Sequence, residues 1–81
     1  MNYTMTLYSM PHCGPCNEFK QWLREQNISY LDKDITNDLE VDKEFKNLGF
    51  MYTPTTIIKV NSEEHTIVGA NIKKISELLS L

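Results

Sequence analysis

Two strand-like stretches are separated by one of helical period, and this order constrains the fold more than any other feature of the chain. Residues 2 to 8 place Tyr3, Met5 and Leu7 on one face and Thr4, Thr6 and Tyr8 on the other, the period-two alternation of a β-strand. Cys16, Phe19, Trp22 and Leu23 then fall at i, i+3, i+6 and i+7, so residues 14 to 26 predict an amphipathic helix that fades at Asn27. Ile28 to Ile35 is short and again β-prone. A strand, a helix and a strand in that order make a parallel β-α-β crossover the economical topology.

The remainder extends this layered core. Asn37 and Glu40 predict a capping-box pair opening a second helix, with Val41, Phe45 and Leu48 at i, i+4 and i+7 and Gly49 at its end. Thr55 to Val60 predicts a strand, Asn61 to Glu64 a turn, and His65 to Val68 an antiparallel partner. Asn71 can cap a last helix whose Ile72, Ile75, Leu78 and Leu79 repeat at helical spacing. The expected order is β-α-β-α-β-β-α: an α/β fold with a four-stranded mixed sheet flanked by three helices. The apolar stripes read as core. Eighty-one residues are expected to form one domain, residues 1–81, burying roughly three-fifths of the surface of the unfolded chain.

Charge and composition narrow the partners. A net charge of −3 with scattered basic residues argues against a nucleic-acid partner. The first residues lack a basic n-region, a long apolar run and a small-residue cleavage site, and nothing approaches a transmembrane span. A cytoplasmic, reducing compartment is therefore expected, with no membrane partner, where a permanent structural disulfide is out of place.

Both cysteines lie in Pro11-His12-Cys13-Gly14-Pro15-Cys16. A bridge between them closes a very short loop, and a crosslink stabilises more the longer its loop, so it staples almost nothing. Zinc needs four ligands; beyond the pair only His12 and the distant His65 offer nitrogen, and His65 reads as a surface strand residue. A CxxC beside a β-α-β pattern points instead to redox chemistry. Only the thiolate attacks a disulfide, and Cys13, where the helix begins, meets unpaired N–H groups and the positive end of the helix dipole. Cys16 is one turn further and faces inward with Phe19, so Cys13 is the expected attacker and Cys16 the resolver. Pro15 suits the first helical turn, Gly14 permits close approach of a substrate, and His12, a loop histidine, would further stabilise the thiolate if protonated. Lys20, one turn beyond Cys16, could aid its ionisation, but the stronger reading is solvated surface.

Strand, CxxC at a helix start and Thr53-Pro54 before a hairpin together resemble the thioredoxin superfamily, and the length and ending resemble its glutaredoxin and NrdH-redoxin branch. The resemblance covers essentially the whole chain and rests on Tyr8-Ser9 leading to Cys13-Gly14-Pro15-Cys16, on Tyr52-Thr53-Pro54, and on Val68-Gly69-Ala70 before a short terminal helix. It implies a thioredoxin fold, a cis Pro54, and substrate binding at Tyr52, Thr53, Pro54, Gly69 and Ala70. It also implies a monomeric thiol-disulfide oxidoreductase acting on protein disulfides, with no cofactor or metal beyond the Cys13–Cys16 pair. Met10 stands where many glutaredoxins carry a lysine for the glutathione carboxylate, and Gly69-Ala70-Asn71-Ile72 replaces their Gly-Gly followed by acidic residues. The Gly-Phe-(Arg/Lys)-Pro of NrdH-redoxins is absent as well. The missing glutathione features favour recharging by a thioredoxin-reductase-type flavoenzyme, as in an NrdH-redoxin-like donor to ribonucleotide reductase. The alternatives are a glutathione or other low-molecular-weight-thiol dependent glutaredoxin, and a non-catalytic redox-sensing or metal-binding module on the same fold.

Overall fold

A computed structural model describes residues 2–81; Met1, included in the 1–81 domain expectation, lies outside them. The elements are β1 (Tyr3–Ser9), α1 (Gly14–Glu25), β2 (Leu31–Asp34), α2 (Leu39–Asn47), β3 (Thr55–Val60), β4 (Glu63–Val68) and α3 (Ile72–Leu78). The sheet runs β2-β1-β3-β4, with β2 parallel to β1 and the other pairs antiparallel. This is the thioredoxin fold, in the expected element order.

Strand alternation decides which helix covers which face. Met5 and Leu7 of β1 join Ile58 and Ile67 under Phe19 and Leu23 of α1 and Ile75 of α3, forming the main core. On the opposite face Tyr8 packs against Phe45 of α2 and against Phe50, at ring separations of 5.7 and 5.8 Å. One helix covers this second face, and Val68 on it remains exposed.

Three element boundaries differ from the sequence expectation, each for a local reason. The second strand begins at Leu31 rather than Ile28. Asn27 adopts φ 57°, and the Ile28 amide bonds the Leu23 carbonyl at 2.9 Å, so Ile28 closes α1 as part of a Schellman turn and buries its side chain there. The cap of α2 is Asp38, not Asn37: its carboxylate accepts from the Glu40 and Val41 amides at 3.0 and 3.3 Å. Asn37 instead donates through Nδ2 to Asp34 at 2.7 Å. The hairpin turn is two residues long, Asn61 and Ser62 at φ 52° and 67°, so β4 starts at Glu63 rather than His65. Positive φ at both central residues is the turn that matches the twist of paired strands.

Gly49, at φ 81°, ends α2 as expected, with the Phe50 amide bonding the Phe45 carbonyl at 3.2 Å. Asn71 caps α3 through a 3.0 Å bond from the Lys74 amide. Among the described residues no helix is long and apolar enough to cross a membrane.

Candidate functional site

The end of β1 delivers the chain through Met10, Pro11 and His12 to the first turn of α1. Cys13 is the N-cap of that helix: its sulfur accepts a hydrogen bond from the Cys16 amide at 3.2 Å, and its carbonyl accepts from Asn17 at 3.0 Å. Pro15 occupies the first turn, where no intrahelical donor is lost. The two cysteines are joined as a disulfide with Cα atoms 5.2 Å apart. Cys13 is partly exposed and Cys16 is completely buried. The sulfur aligned with the open helix end is thus the one a substrate can reach.

The loop before β3 closes the site from across the sheet. The Thr53–Pro54 bond is cis. Thr53 Oγ1 points at Cys13 Sγ from 3.7 Å, and the Thr53 carbonyl oxygen lies 3.8 Å from the same sulfur. The Thr55 hydroxyl donates to the Tyr52 carbonyl at 2.5 Å and the Gly69 amide to the Pro54 carbonyl at 2.8 Å, so both flanks of the loop are tied down. Gly69 sits at φ 85°, a conformation that favours glycine.

The structure therefore brings together Cys13, Cys16, Thr53 and Pro54, with Gly69 held against Pro54. Tyr52, 63% exposed, and Ala70, also exposed, flank this group at the surface. Gly14 and His12 are exposed, and among the described residues His12 makes no hydrogen bond to either sulfur. No group of three or more His, Cys, Asp or Glu side chains among the described residues could hold a metal ion.

Two charged clusters escaped the sequence analysis, and one corrects it. Lys20 is not solvated surface: its side chain is 15% exposed and its Nζ lies 2.8 Å from Asp32 Oδ2. Ser9 Oγ donates to the other carboxylate oxygen of Asp32 at 2.6 Å. Asp34 lies on the same sheet face; hydrogen bonds from Asn37 and the Thr36 amide hold its carboxyl below the usual range, and the Lys20 charge adds to this. The readable signal was the acidic residues at alternate positions of β2 and a lysine four residues after Cys16. On the opposite face the Tyr8 hydroxyl donates to Glu44, which also takes a 2.7 Å bond from Lys33. Burial, then the Glu44 contact, pushes the Tyr8 phenol up, while Lys33 and Tyr8 hold the Glu44 carboxyl down.

Fold and site together define a class: thiol-disulfide redox proteins of the thioredoxin superfamily, built around a cysteine pair at a helix start. Within that class, the family model described as Glutaredoxin matches residues 5–62, and the chain belongs to the glutaredoxin family. It is 27% identical over 73 residues to an uncharacterized glutaredoxin-like 8.6 kDa protein in the rubredoxin operon of Clostridium pasteurianum, covering 90% of this chain and 93% of that one. The SPbeta prophage-derived thioredoxin-like protein YosR of Bacillus subtilis is 32% identical over 71 residues, covering 85% of each chain. Global transcriptional regulator Spx 1 of Bacillus cereus is 32% identical over 73 residues, but the match spans 56% of that longer relative. Among solved structures, the thioredoxin-like protein BC3987 superimposes with a TM-score of 0.74 at 25% identity, over 93% of this chain and 99% of that one. Thioredoxin f2 of Chlamydomonas reinhardtii, at 15% identity and a TM-score of 0.74, covers 96% of this chain and 76% of its own, and shares the fold.

Proposed function

We propose that the protein reduces protein disulfides by dithiol exchange. The observation that carries this reading is the asymmetry of the pair, with Cys13 Sγ at the helix cap, partly exposed and facing Thr53, and Cys16 buried behind it. In the reduced protein, the Cys13 thiolate attacks one sulfur of the substrate, the substrate S–S bond breaks and the other sulfur leaves as a thiolate. Cys16 then attacks Cys13 Sγ, the mixed disulfide breaks, the substrate leaves fully reduced, and the Cys13–Cys16 bridge re-forms. The substrate has gained two electrons and two protons. Tyr52, Thr53, Pro54, Gly69 and Ala70 receive the substrate chain beside the sulfur, Gly14 and Pro15 keep the turn open and rigid, and His12 adds positive charge when protonated.

We assign recharging of the disulfide to a thioredoxin-reductase-type flavoenzyme drawing on NADPH, as for an NrdH-redoxin-like donor to enzymes such as ribonucleotide reductase. Met10 and the Gly69-Ala70 sequence support this over glutathione. The protein acts as a cytoplasmic monomer of one domain, without metal, nucleic acid or membrane. Cys13→Ser abolishes reduction of insulin disulfides, while Cys16→Ser accumulates a mixed disulfide; an active Cys13→Ser protein overturns the assignment. NADPH with the flavoenzyme recharges the oxidised protein, and turnover with glutathione alone would move it to the low-molecular-weight-thiol branch.

A second reading has its own support. The match to a transcriptional regulator over the cysteine-bearing region favours a redox-sensing module, in which the pair reports rather than turns over. Cys13 reactivity at pH 7 no greater than that of an unstructured cysteine, with no insulin reduction, selects that reading.

A further inference from the structure

Cys16 is 0% exposed, and a thiol so placed must give up its proton before it can resolve a mixed disulfide. Lys20 follows it by one turn, on the same side of α1. Helical side chains lean toward the N-terminus, so residues one turn apart, like Cys16 and Lys20, share the face that α1 turns to the sheet, and Lys20 reaches β2 from there. Its ammonium group is not free to swing into solvent. Asp32 of β2 holds it at 2.8 Å, and the carboxylate is itself oriented by the 2.6 Å hydrogen bond from Ser9, a residue 1% exposed at the end of β1. Ser9 and Asp32 face the same side of the sheet as Leu7, the side that α1 covers. An exposed ion pair is worth little, but a sheltered cation keeps much of its field on a neighbouring sulfur.

We propose that Lys20 is a positioning residue for the release step, a cation clamped by Asp32 and Ser9 that stabilises the thiolate of Cys16 as it attacks Cys13. This rests on the dithiol reading above. As Cys16 attacks, the Cys13–Cys16 bond forms and the bond from Cys13 to the substrate breaks. The substrate sulfur takes the electron pair and ends with the proton that Cys16 gave up. Lys20 exchanges no proton and touches no substrate. Its charge acts on the second exchange and leaves the first, at Cys13, to the helix end and Thr53.

An opposite charge nearby favours the ionised form by about one to three pKa units, and a more acidic thiol is a poorer nucleophile by a little under half of that gain; losing the cation should slow resolution by about three- to tenfold or more. The test mixes the reduced full-length protein with an aromatic disulfide that releases a coloured thiolate, such as dithiobis-nitrobenzoate. Attack by Cys13 releases one equivalent and attack by Cys16 the second, so the two steps are timed separately. In Lys20→Met the second phase slows at least threefold and the first stays within twofold of wild type. Lys20→Arg, which keeps the cation, restores the second phase. The double variant Lys20→Met with Asp32→Asn leaves no unpaired carboxylate and serves if Lys20→Met alone does not fold; its second phase is also slow. An unchanged second phase, or equal slowing of both, overturns the role of Lys20 while leaving dithiol exchange standing. A wild-type protein that releases one equivalent only overturns the dithiol reading, and this role with it.

Discussion

Thr53 is the residue whose contribution local sequence could not show. Forty positions of chain separate it from Cys13, yet its hydroxyl lies 3.7 Å from the cysteine sulfur. No periodicity links a loop threonine to a helix cap; the link comes from the sheet pairing that sets β3 beside β1. Once Cys13 is ionised, that hydroxyl can donate to it, and Thr53→Val removes the donor at nearly constant volume. Alkylation of Cys13 by iodoacetamide near neutral pH should slow by about threefold, the size of a modest hydrogen bond. Thr56, two positions past the cis proline, makes the opposite case. Its hydroxyl is buried without a partner among the described residues, inside an apolar layer with Leu7 and Ile67. Thr56→Val should raise stability by about 1 kcal/mol, read as a higher urea midpoint with an unchanged slope.

Elements were legible wherever one face was apolar, because periodicity reports burial. Phe19 with Leu23, Val41 with Phe45, and Ile75 with Leu79 all lie on the faces their spacing indicates, and α1 and α2 end next to Asn27 and Gly49. Boundaries were less legible where two adjacent residues offered the same chemistry. Asn37 and Asp38 are both good caps, and the competition was decided by Asp34, which engages Asn37 and leaves Asp38 to the helix. Asp38→Ala should therefore destabilise the protein by about 1 kcal/mol through α2, and Asn37→Ala by less; denaturant melts of the two variants compare them directly. Ile28 misled for a related reason, since its β-branched side chain fits a strand but is used to close a helix.

At the scale of the whole molecule, Glu44 ties α2 to the sheet through Tyr8 and Lys33, Asp34 is held by the turn that follows β2, and the titration of these groups shapes the pH dependence of stability. The carboxyls of Asp34 and Glu44 titrate below their ordinary values of 3.8 and 4.5, so their contribution is complete above those values and is lost as pH falls through the lower folded ones. The Tyr8 phenol titrates above its ordinary 10.0, so its contribution is complete below that value and declines as pH rises beyond it. Urea midpoints should fall on the acid side through Asp34 and Glu44 and on the alkaline side through Tyr8. Tyr8→Phe should abolish the alkaline decline attributable to this residue and keep the acid one, because Lys33 still holds Glu44. The overall topology, a crossover followed by a hairpin, was readable because each unit is local. From the residues themselves the site was readable only in its local half, the cysteine turn; Thr53 and Pro54 entered through the family resemblance, since Lys20–Asp32 and Cys13–Thr53 both need the folded sheet.

The cap of α1 carries one more consequence. The Cys13 sulfur, the proposed attacking atom, is also the acceptor for the Cys16 amide, so the peptide group of Cys16 senses directly what is bonded to Cys13. That single N–H is a built-in reporter: its proton resonance should take a distinct position for the disulfide, the thiolate and each mixed disulfide, allowing the redox state to be followed in solution without a label on either sulfur.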